Sequence, residues 1–82
     1  MPYIKPINRL LLDGLIRDYG FTLTPDGHLN YFLFALCKRT VNPSYNNYKN
    51  FIGELNECVA ELRRRLLAPH EDKKCEENGD VA

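Results

Sequence analysis

The helical character of the chain is clearest in residues 44–69, which read SYNNYKNFIGELNECVAELRRRLLAP. Large apolar side chains recur there at spacings of four, three, four, three and four residues, namely Tyr48, Ile52, Leu55, Val59, Leu62 and Leu66. This period places them on one face of a helix that follows a neighbouring helix. Asn42 or Ser44 can cap its start, and Pro69 disfavours its continuation, so we predict a helix over residues 44–67.

Two further helices are predicted before it. Residues 7–19 carry apolar side chains mainly at i, i+3 and i+4 spacings, and Gly20 is placed to cap that helix. Thr24 followed by Pro25 is a typical helix start. The helix predicted over residues 25–41 is apolar around most of its circumference, so we expect it at the centre of the protein or in an interface.

The fold class follows from these three periods. Residues 21–23 alternate like a strand, but no second run exists to pair with them. We therefore predict an all-α, small three-helix domain over residues 1–69 with extended N- and C-terminal arms. The second of these is a charged C-terminal arm over residues 70–82, in which residues 71–82 hold two basic and five acidic side chains.

The small size of the chain predicts self-association. A folded chain of this length buries only ~60% of the surface of its unfolded form, so it usually needs a disulfide, a metal or assembly. Cys37, Cys58 and Cys75 are odd in number and far apart, so we expect reduced thiols. His28 and His70 stand alone, so we expect neither a metal nor another cofactor. We predict a homo-oligomer, most simply a dimer, joined through helices two and three.

Localisation and charge narrow the function classes further. The start at Met1 lacks the charged segment and apolar run of a signal peptide, and no apolar stretch approaches the ~20 residues that cross a bilayer. We expect a cytoplasmic protein that does not enter a membrane. Eleven basic and eleven acidic side chains cancel, which argues against a protein built mainly to bind nucleic-acid phosphates.

No set of residues indicates catalysis. The strongest enzyme-like pair would join Cys37 or Cys58 to His28 or His70. Both cysteines, however, lie within or beside apolar stripes, where a thiol acts as a small hydrophobic group. We therefore predict that the protein is not an enzyme.

Two polar surfaces remain as candidates for binding. The arginines at 63–65 could engage an anion, but they point to three sides of a helix, so favourable charge near a helix end is the simpler interpretation. Tyr45, Asn46, Asn47 and Lys49 open helix three, and side chains of these types can read DNA bases or stack on nucleotides. Capping and surface packing would also explain them. A DNA-binding or protein-interaction regulator that uses this surface is the alternative function.

Three motifs carry a family resemblance: PYIK at 2–5, GHLNY at 27–31 and APHEDKKCEENGDV at 68–81. With these the chain resembles a family of short proteins from bacteriophages and their hosts, which begin PYIK and end in an APYEDKKIxENGDV-like tail. His70 replaces the usual Tyr, and Cys75 replaces an aliphatic residue. The resemblance implies a phage or mobile-element setting, in which small helical oligomers sometimes sequester nucleotide second messengers.

The placement of the family-like residues predicts a site. They lie at both termini, whereas packing alone explains the helices between, and functional groups tend to sit on arms that a rigid scaffold positions. We expect a ligand site where the PYIK arm and the Pro69–Val81 arm approach the basic end of helix three. Its candidate residues are Tyr3, Lys5, Arg64, Lys73, Asn78, Gly79 and Asp80. The favoured function is a non-enzymatic binding protein that captures a small anionic ligand of nucleotide type between subunits.

Overall fold

The computed structural model describes residues 4–80, and these confirm the all-α prediction, because none of them lies in a strand. The helices are α1 (Pro6–Tyr19), α2 (His28–Thr40), α3 (Tyr45–Leu62) and α4 (Ala68–Asn78). A short 3-10 helix (Gly20–Thr22) follows α1, and a π-helical turn (Arg63–Leu67) joins α3 to α4. The chain divides into two compact units, one ending at Pro43 and the other beginning at Ser44.

In the first unit, α1 lies where its period predicts it. Pro6 occupies the first turn, where its missing N–H costs nothing. Gly20 does stand at the C-terminal cap, but its backbone is right-handed (φ −57°, ψ −41°), so no glycine-specific conformation ends the helix. The chain instead tightens into the 3-10 turn, in which the Thr22 hydroxyl donates to the Tyr19 carbonyl at 2.7 Å.

Helix α2 begins three residues later than predicted. Residues 25–27 form a turn, and Gly27 takes a left-handed conformation (φ 111°) that suits glycine. The Thr24 hydroxyl does not cap the helix, because it donates to the Asp26 carboxylate at 2.6 Å. At the other end α2 stops at Thr40, since Val41 is extended (φ −94°, ψ 125°).

In the second unit, Ser44 caps α3. Its hydroxyl accepts the Asn47 backbone N–H at 3.0 Å, which satisfies one of the unpaired donors of the first turn. Of the two candidate caps that the sequence left open, the structure selects Ser44.

The prediction that the helix ends near Leu67 is wrong, and residues 70–78 are not an extended arm. Helical backbone runs through Arg63–Leu67 into α4 and ends at Asn78. Pro69 has no N–H, and in a regular helix its ring would meet the carbonyl of Arg65. The π-turn, in which the Ala68 N–H donates to the Arg63 carbonyl five residues back, shifts this register and lets the helix continue.

The helix over residues 45–78 is therefore continuous across the boundary at residue 69 that the sequence suggested. At about 1.5 Å per residue it is roughly 50 Å long. Gly79 ends it with φ 87° and ψ 150°, a backbone region that is nearly exclusive to glycine.

Neither unit has a buried core within residues 4–80, since no described side chain is buried. Twenty-one large apolar side chains, in both units, are between 37% (Leu29) and 80% (Phe21, Tyr45) exposed. A folded domain ordinarily covers most residues of these types. The helices therefore form with the predicted spacing, but most of their large apolar side chains remain exposed to solvent.

Candidate functional site

The residues of the predicted ligand site lie in different parts of the chain. Tyr3 falls outside the described residues. Lys5 is exposed in the first unit, immediately before α1, with an extended backbone (φ −66°, ψ 150°). Arg64, Lys73 and the segment from Asn78 belong to the second unit.

Within the second unit the structure spreads these residues along one helix. Lys73 lies nine residues beyond Arg64, about 13 Å along the axis, and Asn78 lies fourteen residues beyond it, about 21 Å. The N–H of Gly79 donates to the Cys75 carbonyl at 2.9 Å, so the predicted turn around Gly79 and Asp80 uses this donor to close α4. The second unit by itself does not bring Arg64, Lys73 and Asn78 together around one small ligand.

The arginines of the π-turn make local ion pairs. Arg64 Nη2 donates to Glu61 Oε1 at 2.7 Å, and Arg65 Nη1 lies 3.7 Å from Glu61 Oε2. The Glu61 side chain is only 21% exposed, whereas the two arginines are 65% and 62% exposed. Both pairs are with a carboxylate on the same helix, at the three- and four-residue separations that bring side chains together. Because helical backbone continues to Asn78, the simpler interpretation from sequence, favourable charge near a helix end, does not apply to these arginines.

The alternative surface at the start of α3 is brought together. Tyr45, Asn46, Asn47 and Lys49 occupy the first turn and a half of the helix, and all four are exposed. Tyr45 and Lys49 are separated by four residues, and Asn46 and Lys49 by three, so these pairs are neighbours on the helix surface. Tyr45 is 80% exposed and presents an aromatic ring beside amide and ammonium groups.

A third polar cluster, before α2, was not predicted. A single carboxylate oxygen of Asp26, Oδ1, accepts the Thr24 hydroxyl at 2.6 Å and His28 Nδ1 at 2.7 Å. The hydrogen bond from Thr24, followed by that from His28, lowers the pKa of Asp26. Because a carboxylate only accepts, His28 carries its proton on Nδ1 here. The sequence pattern T-x-D-x-H at residues 24–28 could have predicted this cluster.

Two hollows lie in the first unit. One, of about 500 Å³, adjoins this polar cluster and is bordered by Tyr31 and Phe32. The other is an apolar groove of about 620 Å³ between α1 and α2. Its large side chains come from both helices and from the segment between them: Leu12, Leu15, Ile16, Tyr19, Leu23, Phe32 and Leu36.

Cys37, Cys58 and Cys75 form no disulfide within the described residues. Cys37 is half-buried, but Cys58 and Cys75 are exposed, so the expectation that Cys58 is a core residue does not hold for the single chain. Between residues 4 and 80, no three His, Cys, Asp or Glu side chains are grouped so that they could hold a metal ion. No helix of the described segment combines the length and hydropathy needed to cross a bilayer.

Comparison with known proteins gives one match. Residues 1–81 match the model of a family described as a domain of unknown function (DUF6899). The chain belongs to this family. No curated protein and no solved structure matches it. The DUF6899 model covers nearly the whole chain, including the motifs at both ends and all four helices.

Proposed function

We propose that this DUF6899 protein is a non-enzymatic binding protein that works as a homo-oligomer, captures a small anionic ligand of nucleotide type, and serves a phage or mobile element. The observation that carries the proposal is the exposed apolar surface of both units. Twenty-one large apolar side chains between residues 4 and 80 are between 37% and 80% exposed. Patches of this extent on soluble proteins mark interaction sites.

The magnitude of this exposure favours assembly. Fully burying one such side chain stabilises a protein by about 1.5–3 kcal/mol. Roughly half of each side chain is in water, so full burial of all twenty-one would stabilise the protein by on the order of 20 kcal/mol more. That exceeds the net stability of a typical domain, about 5–15 kcal/mol. Association of identical chains would recover part of it and would create clefts between subunits.

Two lysines that lie outside the local ion pairs support an anionic ligand. Lys74 Nζ lies 3.2 Å from Glu77 Oε2, whereas the neighbouring Lys73 makes no ion pair with any described residue. Lys5 is likewise exposed and outside the ion pairs of the described segment. Groups that lie apart in one chain can meet across a subunit interface, so the spread of the candidate residues is compatible with a site built from two chains.

A thermal-shift screen of cyclic and linear nucleotides tests the ligand at fixed protein concentration. A bound nucleotide should raise the melting temperature by mass action. Lys73→Gln should abolish that rise, whereas Lys74→Gln, its matched neighbour on the same helix, should preserve it. If no nucleotide changes the melting temperature, the nucleotide ligand is excluded.

The start of α3 supports a second candidate function, a regulator that contacts DNA or another protein. The supporting observation is that Tyr45, Asn46 and Lys49 are neighbours on one exposed surface of a capped helix end, with Asn47 exposed in the same turn. Fluorescence anisotropy with labelled duplex DNA at low and high salt tests the DNA branch, because phosphate contacts weaken steeply with salt. Lys49→Gln should weaken binding and reduce that salt dependence; no binding at low salt removes the DNA branch.

A further inference from the structure

We infer that the apolar groove between α1 and α2 is the docking site for the apolar face of α3 from a second copy of this chain, in a reciprocal dimer. This inference rests on the homo-oligomeric part of the proposed function and specifies which surfaces meet. It concerns only surfaces that the structure describes.

The groove is open and apolar. Seven large side chains line it. Leu23 is half-buried, and the exposed fractions of the other six run from 38% for Leu36 and 41% for Phe32 to 61% for Tyr19 and 66% for Ile16. A volume of about 620 Å³ is larger than any single side chain fills, so it suits a row of side chains from a helix. The remaining large side chains on its walls, Leu12 and Leu15, are 47% and 48% exposed.

The apolar face of α3 and the π-turn is the complementary surface. Ile52 is 55% exposed, Val59 47%, Leu62 49% and Leu66 64%. With Tyr48 they follow the alternating four- and three-residue spacing that keeps a row of side chains against a neighbouring helix. An amphipathic helix laid into an apolar groove is a recurrent mode of recognition.

A second copy is the occupant because one chain exposes both surfaces. The groove residues and the α3 residues are each about half exposed, so every copy of the chain presents both surfaces. One two-fold operation between identical chains covers two grooves and two α3 faces at once. A different partner protein would have to supply both shapes separately.

Charge favours the same pairing. Residues 4–43 carry five basic and three acidic side chains, whereas residues 44–80, which include α3 and the π-turn, carry six basic and eight acidic side chains. Two of the basic residues of the first unit, Lys38 and Arg39, close α2 shortly after the groove residue Leu36. A net-positive first unit and a net-negative second unit attract one another and disfavour pairing of either unit with itself.

The available area is also of the right order. A standard interface takes about 800 Å² from each partner, about a tenth of this chain's 7634 Å². The groove and the α3 face include three aromatic residues, Tyr19, Phe32 and Tyr48, and such side chains cover about 150–250 Å² each when fully buried. Half of that from three aromatics is about 300 Å², and the aliphatic side chains of both surfaces add to it.

The test uses three variants of the full chain with the same change of charge. Ile16→Glu alters the groove, Ile52→Glu alters the α3 face, and Ile7→Glu is the control, because Ile7 lies on α1, is 72% exposed and does not line the groove. Analytical ultracentrifugation should give a dimer for the wild type and for the control, and a monomer for each of the other two variants.

An equimolar mixture of the groove and α3 variants separates reciprocal docking from other modes. Their heterodimer retains one wild-type groove paired with one wild-type α3 face, so the mixture should dimerise although neither variant does alone. If Ile16→Glu remains dimeric, α3 pairs with α3; if Ile52→Glu remains dimeric, groove pairs with groove. Either result, or a mixture that stays monomeric, overturns the inference.

Circular dichroism checks that each variant keeps its helical signal. Should a Glu variant lose it, Ile16→Ala and Ile52→Ala replace the pair, and each should raise the dimer dissociation constant at least tenfold relative to Ile7→Ala. Equal constants for all three would overturn the inference. A monomeric wild type would refute the oligomeric proposal itself, whereas a wild-type dimer insensitive to Ile16 or Ile52 would refute only this mode of docking.

Discussion

Replacing Pro69 with alanine tests the physical origin of the π-turn. Proline in the interior of a regular helix costs about 3 kcal/mol relative to alanine, through a lost hydrogen bond and a clash with the carbonyl four residues earlier. The π-turn over Arg63–Leu67 relieves the clash but not the missing donor. Restoring one backbone hydrogen bond is worth about 0.5–1.5 kcal/mol. We therefore expect Pro69→Ala to stabilise α4 by about 1–3 kcal/mol.

The effect should be local. All side chains of α4 are exposed, and helices with few apolar contacts open independently of the rest of a protein. A gain of about 1–3 kcal/mol slows amide exchange in α4 by roughly 5- to 150-fold, if the exchange reports local opening. Native-state hydrogen exchange followed by NMR over residues 70–78 measures this directly. The new amide of residue 69 should also become protected.

Pro6→Ala provides the control. Pro6 opens α1, where proline is tolerated, so its replacement should leave exchange in α4 unchanged. The reasoning is refuted if Pro69→Ala leaves amide exchange in residues 70–78 unchanged or accelerates it. The π-turn over Arg63–Leu67 would then have a cause other than the proline.

Three further predictions concern local stability at fixed protein concentration. Ser44→Ala removes the cap of α3 and should lower the free energy of unfolding by about 1 kcal/mol, measured by urea denaturation. Two glycine replacements should change the free energy of unfolding in opposite directions. Gly53→Ala should stabilise the protein by up to about 1 kcal/mol, because Gly53 lies inside α3 with open space around an added Cβ. Gly27→Ala should destabilise it by about 1–2 kcal/mol, because Gly27 has φ 111°. Folding lowers the pKa of Asp26, so this carboxylate stabilises the protein above its usual pKa of 3.8, and the stabilisation is lost as pH falls through the folded pKa. Thr24→Val removes one hydrogen bond to the carboxylate and should raise the pKa of Asp26 in a carboxyl NMR titration. An unchanged pKa would contradict the assigned cause.

Local features were the ones that sequence predicted well. The period predicted both ends of α1 and the start of α3 to within a residue, because these depend on local spacing and capping alone. The ion pair between Glu61 and Arg65, at 3.7 Å, is likewise local, because the two residues are four positions apart on the helix. Each of these depends on residues within a few positions of one another.

Each prediction that failed concerned residues with more than one possible partner or conformation, and sequence spacing does not distinguish between these. At α2, the Thr24 hydroxyl had two possible partners, and it donates to Asp26 rather than capping the helix. At Pro69, the usual expectation that proline ends a helix failed because a wider turn accommodates its ring. Arg64, Lys73 and Asn78 are not brought together within the second unit, since the prediction assumed an extended arm where Ala68–Asn78 is helical.

The absence of a buried residue between Ile4 and Asp80 has a consequence for the lifetime of the protein in a cell. If assembly supplies the missing burial, folding and dimer formation are linked by mass action, so the folded fraction falls as the total concentration falls. Unassembled chains open readily, and proteases degrade open states in proportion to their population. Newly made protein would thus accumulate only above a threshold rate of synthesis. Below that threshold degradation would outpace pairing, so the timing of expression would determine when the protein is present.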